Sequence, residues 1–155
     1  MLYYIQKGRD DMTERKIWFD MDGTIADLYG VNGWLADLLA HNPRPYAEAR
    51  PLVNMQVLAR RLNKLRAAGY EINIISWLSK DSTAEYDEAV AEAKKVWLRT
   101  HLKSVKFTHI DIVKYGTPKQ IGRNGILFDD EEPNRKAWNG VAFGVDNILN
   151  ELKAL

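Results

Sequence analysis

Short apolar runs that stop on a polar or acidic residue, spaced by longer stretches of helical period, leave this chain few folds to adopt. Ile17-Trp18-Phe19 runs straight into Asp20, and Ile72-Asn73-Ile74-Ile75 into Ser76. Val105-Lys106-Phe107-Thr108-His109 is a third run, and Gly125-Ile126-Leu127-Phe128 a fourth that stops on Asp129-Asp130. Val141-Ala142-Phe143-Gly144-Val145 makes a fifth. Brief β-branched and aromatic runs read as strands, and unbroken apolar character implies cover on both faces. Between them, Leu52–Ala68 carries Val53, Val57, Leu62 and Leu65 at helical spacing and stops at Gly69. Thr83–Leu102 sets Tyr86, Val90, Ala93 and Trp97 on one stripe, and Asn147–Leu155 closes the chain with Ile148, Leu149, Leu152 and Leu155. Strands alternating with helices predict an α/β fold around a mainly parallel sheet, with ligands beyond the carboxyl ends of the strands. Asp20, Ser76 and Asp129 all fall at such ends.

The 155 residues fit one domain, residues 1–155, with Met12-Thr13-Glu14-Arg15-Lys16 resembling a start of its own after an extension over residues 1–11. A formal net charge of +1 gives no global pull toward nucleic acid or an anionic membrane, although a local cluster of donors for an acidic substrate remains compatible with it. The chain has no cysteine, which excludes disulfides, thiolate catalysis and thiolate-held zinc. No apolar run approaches the roughly 20 residues of a membrane helix. A cytoplasmic protein is the default expectation.

The stretch Ile25–Pro51 is longer than a strand-to-helix connection needs. Its aromatic and basic residues Tyr29, Trp34, Arg44, Tyr46 and Arg50, with three prolines, read as a small lid over the strand ends. The alternative is a structural helix and proline-rich connector that never meets a ligand.

Asp20-Met21-Asp22-Gly23-Thr24 carries the chemistry. On extended backbone, positions i and i+2 point the same way, so both carboxylates can face one pocket. One can attack phosphorus while the other protonates the departing oxygen and later takes a proton from water. Gly23 allows a sharp turn that brings backbone amides near an anion. An anionic nucleophile meeting an anionic phosphate needs positive charge, and Mg²⁺ held by carboxylates suits that need. Asp20 and Asp129 are the side-chain ligands expected, with the Asp22 main-chain carbonyl beside them. Ser76 can donate to a phosphoryl oxygen, and Lys119 can offset charge in the transition state. Trp77 can reach phosphate through its backbone N–H or stack on a base through its ring; the alternative is core packing or simple shielding of the site. Taken singly, each of these features is common; their order along the chain gives them weight.

Other residues read as structural. His41, His101 and His109 lack ligand spacing, Trp97 belongs to a helix stripe, and Lys94-Lys95 and Arg60-Arg61 read as solvated helix faces. Asn134 is placed to orient a neighbouring loop or carboxylate. These basic pairs are too few for a nucleic-acid footprint.

Together, Asp20-Met21-Asp22-Gly23-Thr24, Ser76, Lys119 and Asp129-Asp130 resemble the four motifs of the haloacid dehalogenase superfamily, over about residues 16–146. The resemblance implies a Rossmann-like three-layer sandwich with a five-stranded sheet and a small cap, and a Mg²⁺-dependent phosphatase of a small phosphorylated substrate. It implies Asp20 as nucleophile, Asp22 as general acid and base, and Ser76 and Lys119 around phosphate, with Trp77 beside them by its position after Ser76. Asp20, Asp22, Asp129 and Asp130 would surround the metal, Asp130 through a second layer of contacts or a bound water. Lys114 is the other lysine within range of the third motif. Asp20–Leu28 is similar to the opening of the 5′(3′)-deoxyribonucleotidases and their short phage and bacterial relatives, so a nucleoside monophosphate is the narrower expectation. Two other classes remain: a phospho-acceptor or Mg²⁺-binding signalling module, and a noncatalytic relative that only binds. A receiver-type module needs no group to protonate a leaving alcohol, so Asp22 separates the first of these from an enzyme.

Overall fold

β1, Lys16–Phe19, is the middle strand of the molecule. The computed structural model describes residues 15–155, so the expected extension over residues 1–11 lies outside the described residues. β1 pairs in parallel with β4, Glu71–Trp77, on one side and with β6, Gly125–Phe128, on the other. β5, His109–Val113, extends the sheet beyond β4, and β7, Gly140–Phe143, beyond β6, giving the order β5-β4-β1-β6-β7. All four pairings are parallel, as the continuous apolar runs predict. The chain leaves β1 in one direction and returns on its other side at β6, so the carboxyl end of β1 is a topological switch point.

The register makes the core. Ile17 lies beside Ile72 and Ile126, and Phe19 beside Ile74 and Phe128. These alternate residues share one face with Leu58 and Leu62 of α3, Met55–Ala67, Trp97 and Leu98 of α4, Ala84–His101, and Ile148 and Leu152 of α6, Ile148–Lys153. Phe19, Phe128 and Phe143 stack in sequence across the strands, with centroids 5.0 and 5.4 Å apart. The opposite face holds a smaller cluster of Trp18, Ile75, Leu127 and Trp138. Its cover is thin: residues 114–124 and the six-residue α5, Glu132–Ala137. Trp18 and Trp138 are tied there by indole hydrogen bonds to the Asn124 and Gly125 carbonyls. The sandwich is lopsided, with its third layer mostly loop.

One expectation is corrected. The third strand occupies His109–Val113 rather than Val105–His109. Val105 and Phe107 instead pack against the main core in the connection after α4, which gives that stretch its apolar character without a sheet partner.

The excursion after β1 begins with β2, Ala26–Asp27, which pairs antiparallel with β3, Arg50–Pro51, and so closes on itself at the base. Between them lie α1, Trp34–Leu39, and α2, Arg44–Glu48. Leu28 and Tyr46 pack on Tyr86 and Val90 of α4, anchoring this unit beside the strand ends. The helix caps follow sequence chemistry: Asn54 and Thr83 accept hydrogen bonds from the Val57 and Tyr86 amides. Gly69, just past α3, takes a φ of +102°, open to glycine at little cost.

Candidate active site

Asp20 follows the last residue of β1, and the next three residues turn back sharply. The Thr24, Ile25 and Ala26 amides all donate to the Met21 carbonyl. Gly23 has a φ of +80°, and a Cβ there would collide with the Asp130 carboxylate. Only glycine lets the loop after β1 lie against the loop after β6. Thr24 joins the two loops: its hydroxyl donates to Asp20 Oδ2 at 2.8 Å and accepts from the Asp130 amide at 3.2 Å.

Asp20, Asp129 and Asp130 each present an oxygen within 4.8 Å of the others. Lys119, only 3 % exposed, donates from Nζ to Asp20 Oδ1 and Asp129 Oδ2, both at 2.8 Å. Lys119 is thus the lysine that reaches the aspartates, while Lys114 is exposed on the surface. The Trp77 ring lies under the Lys119 ammonium at 5.0 Å, steadied by an indole hydrogen bond to the Thr117 carbonyl. Asp129 also accepts from the Glu131 amide and from Asn134 Nδ2, so Asn134 does meet a neighbouring carboxylate.

The Asp22 carboxylate turns away from this trio. It pairs with Lys94 Nζ at 2.8 Å. Lys94 is 1 % exposed, which overturns its reading as a solvated helix residue, while its neighbour Lys95 is on the surface. The ammonium also donates to Ser76 Oγ at 2.7 Å and to the Trp77 carbonyl at 2.6 Å. Ser76 is fully enclosed beneath the site rather than open to it. The signal for Lys94 was present in the stripe Tyr86, Val90, Lys94, Trp97, which keeps helical spacing through a charged residue. Of the other basic pair, Arg60 is exposed, but Arg61 is half-buried and donates to the Leu149 carbonyl, tying α3 to α6.

Above these groups lies a cavity of about 290 Å³. Asp20, Asp22, Lys119, Asp129 and Asp130 line its floor, and Leu28, Tyr29, Trp34, Leu35, Leu38 and Tyr46 come from the excursion. The excursion therefore lines the cavity. Tyr29 and Trp34 sit edge to face at 5.1 Å, and Trp77 and Tyr115 form a second aromatic pair at 5.1 Å. Lys80 and Glu131 also reach the cavity, unanticipated because neither belongs to a recognisable pattern. No histidine does: His41 and His109 stack on Tyr86 and Trp18, and His101 lies tilted against Trp97.

Crowding governs the electrostatics. Burial, then the neighbouring Asp20, pushes the Asp130 carboxyl up to about 7. Burial and Asp20 also raise Asp129, against the pull of Lys119. Asp22 is raised by burial, partly offset by Lys94. For Lys119, burial works to lower the value, but Asp20 and Asp129 outweigh it and hold the ammonium charged. Four carboxylates around two buried ammonium groups leave a formal excess of two negative charges. That deficit, with hard oxygen donors and no histidine, fits a divalent cation such as Mg²⁺.

No family model matches the chain, and no curated protein sequence does. Among solved structures, it is similar to the D,D-heptose 1,7-bisphosphate phosphatase from Burkholderia thailandensis, with a TM-score of 0.49 and 17 % identity over 79 % of this chain and 70 % of that one. Among the described residues, no helix is long and apolar enough to cross a membrane.

Proposed function

We propose that this chain is a Mg²⁺-dependent phosphohydrolase that cleaves a small phosphate monoester through an aspartyl phosphate on Asp20. One observation carries the reading: Asp20 and Asp22 open onto the same cavity as Lys119, Asp129 and Asp130, which arrive from distant parts of the chain. The motif resemblance to haloacid dehalogenase phosphatases agrees with it.

In the first step an Asp20 oxygen attacks phosphorus as the bond to the leaving oxygen breaks. Asp22, whose raised affinity for a proton suits a general acid, protonates that oxygen. In the second step Asp22 takes a proton from water, water attacks phosphorus, and the bond to Asp20 breaks to release phosphate. Lys119, beside Asp20 Oδ1, offsets charge in both steps. Asp20, Asp129 and Asp130 would hold Mg²⁺ with their carboxylates, and Asp22 with its main-chain carbonyl. Bound there, the ion would supply positive charge against the phosphoryl oxygens. Ser76, held by Lys94 beneath the floor, stays off the cavity wall, and Trp77 serves as the shelf beneath Lys119.

The narrower substrate is a nucleoside monophosphate. The aromatic walls Tyr29–Trp34 and Trp77–Tyr115 favour a planar leaving group over a bare sugar. An Asp22 carboxylate facing the cavity favours hydrolysis over a long-lived phospho-acceptor.

The test is phosphate release from p-nitrophenyl phosphate and a panel of nucleoside monophosphates, with Mg²⁺ and with chelator. Turnover that needs the metal and vanishes in Asp20→Asn is expected. Turnover unchanged in a folded Asp20→Asn protein would remove the nucleophile and the proposal with it.

A further inference from the structure

Lys94 sits on α4, outside the motif set, yet its ammonium touches more of the site than a packing residue would. An ammonium has three donors and no acceptor. Here the three go to Asp22 Oδ2, Ser76 Oγ and the Trp77 carbonyl, at 2.8, 2.7 and 2.6 Å. The Tyr46 ring lies 5.1 Å from the same nitrogen. Three other parts of the chain thus converge on this atom of α4: the loop after β1, the end of β4 and the excursion.

This saturation has two geometric consequences. The Asp22 carboxylate is anchored through one oxygen, leaving Oδ1 as the one outside the ion pair. Ser76 Oγ must accept from the lysine, so its own hydrogen is directed elsewhere. Neither effect is needed for folding, because a well-packed apolar side chain in place of a buried ion pair is commonly as stable or more so. What an apolar residue could not do is hold Asp22 in one orientation beside Asp20.

We propose that Lys94 is a positioning residue for Asp22, acting on the proton transfer through the orientation of that carboxylate. The inference rests on the phosphohydrolase reading and deepens it. Lys94 touches neither substrate nor reacting atoms; its effect passes through Asp22 and the polarity of Ser76.

The experiment compares wild type, Lys94→Met, Asp22→Asn and the double variant on p-nitrophenyl phosphate and on a nucleoside monophosphate, whose alcohol leaves poorly. Lys94→Met is expected to lower kcat on the nucleotide by about 10²-fold, and less on the nitrophenyl ester, because protonation matters most for the poorer leaving group. KM should stay within about threefold. In the Asp22→Asn background the same change should cost less than about threefold, since the group it positions is already lost. Losses that multiply in the double variant, or that are equal for both substrates, would overturn the proposal and leave a structural lysine. If wild type releases no phosphate from either substrate, the phosphohydrolase reading fails by itself. The positioning claim is then decided by crystal structures of wild type and Lys94→Met. An Asp22 side chain displaced in the variant upholds it, and one in the same place overturns it. Should Lys94→Met fail to fold, Lys94→Gln, which keeps a donor amide, takes its place in every arm.

Discussion

The two buried lysines under the cavity hold their halves of the floor in different ways. Lys119 bridges two carboxylates, Asp20 and Asp129, and its charge is shared in a crowd of acids. Lys94 meets one carboxylate, Asp22, and gives its other donors to a neutral hydroxyl and a carbonyl. The Lys119 half therefore remains short of positive charge and suited to a cation and a phosphoryl group. The Lys94 half is satisfied and rigid, suited to holding one proton donor in place. In the proposed mechanism, two aspartates only two residues apart take different work from their partners rather than from their own chemistry.

The largest expected effect falls on the Lys119 half. Asp20→Asn should reduce kcat at least about 10⁴-fold, measured by phosphate release from a protein whose thermal melt is unchanged. Lys119→Met should follow, with a loss of about 10²–10³-fold, because Asp20 and Asp129 would then face each other without their shared ammonium. On the other half, Asp22→Asn should cost about 10²-fold or more on nucleotides and clearly less on p-nitrophenyl phosphate. Equal sensitivity to leaving group in Lys119→Met and Asp22→Asn would erase the distinction between the halves.

Smaller effects sharpen it. Trp34→Ala should raise KM for a nucleoside monophosphate by about five- to tenfold through lost stacking, with kcat nearly unchanged. Without metal, the Asp130 carboxyl near 7 binds a proton more tightly in the folded than in the unfolded chain, where 3.8 is usual. The folded state then holds more protons between those values, so its stability falls as pH rises from about 4 to about 7. Asp130→Asn should raise the melting temperature of chelator-treated protein at pH 8 by a few degrees, and Mg²⁺ should stabilise wild type more than the variant. A melting temperature that climbs with pH over that window in metal-free wild type would contradict the assignment of cause.

Asp20 and Asp129 were legible because each directly follows a strand, where an apolar run stops abruptly on a carboxylate, and Lys119 was legible only from its place in the order of the motifs. Lys94 was missed although it keeps the spacing of the stripe, because Lys94-Lys95 looks like any solvated helical pair until the helix is laid against the sheet. Periodicity placed Val90 and Trp97 inside, and the lysine between them belonged to the same stripe. The strand at His109–Val113 escaped for the opposite reason. Its side chains are only partly covered beneath a thin layer, so Asp111 interrupts the apolar pattern, while Val105 and Phe107 beside it gain theirs by packing in a connection. Sequence pattern reports burial, and here burial and strand geometry part company.

The most direct test is to quench wild-type protein in acid during turnover of ³²P-labelled substrate and map the label by mass spectrometry of its peptides. A phosphoryl group on Asp20, absent from Asp20→Asn and accumulating when Asp22 is replaced and the second step slows, is the expected result. Steady release of labelled phosphate with the Asp20 peptide never carrying a phosphoryl group would contradict the account.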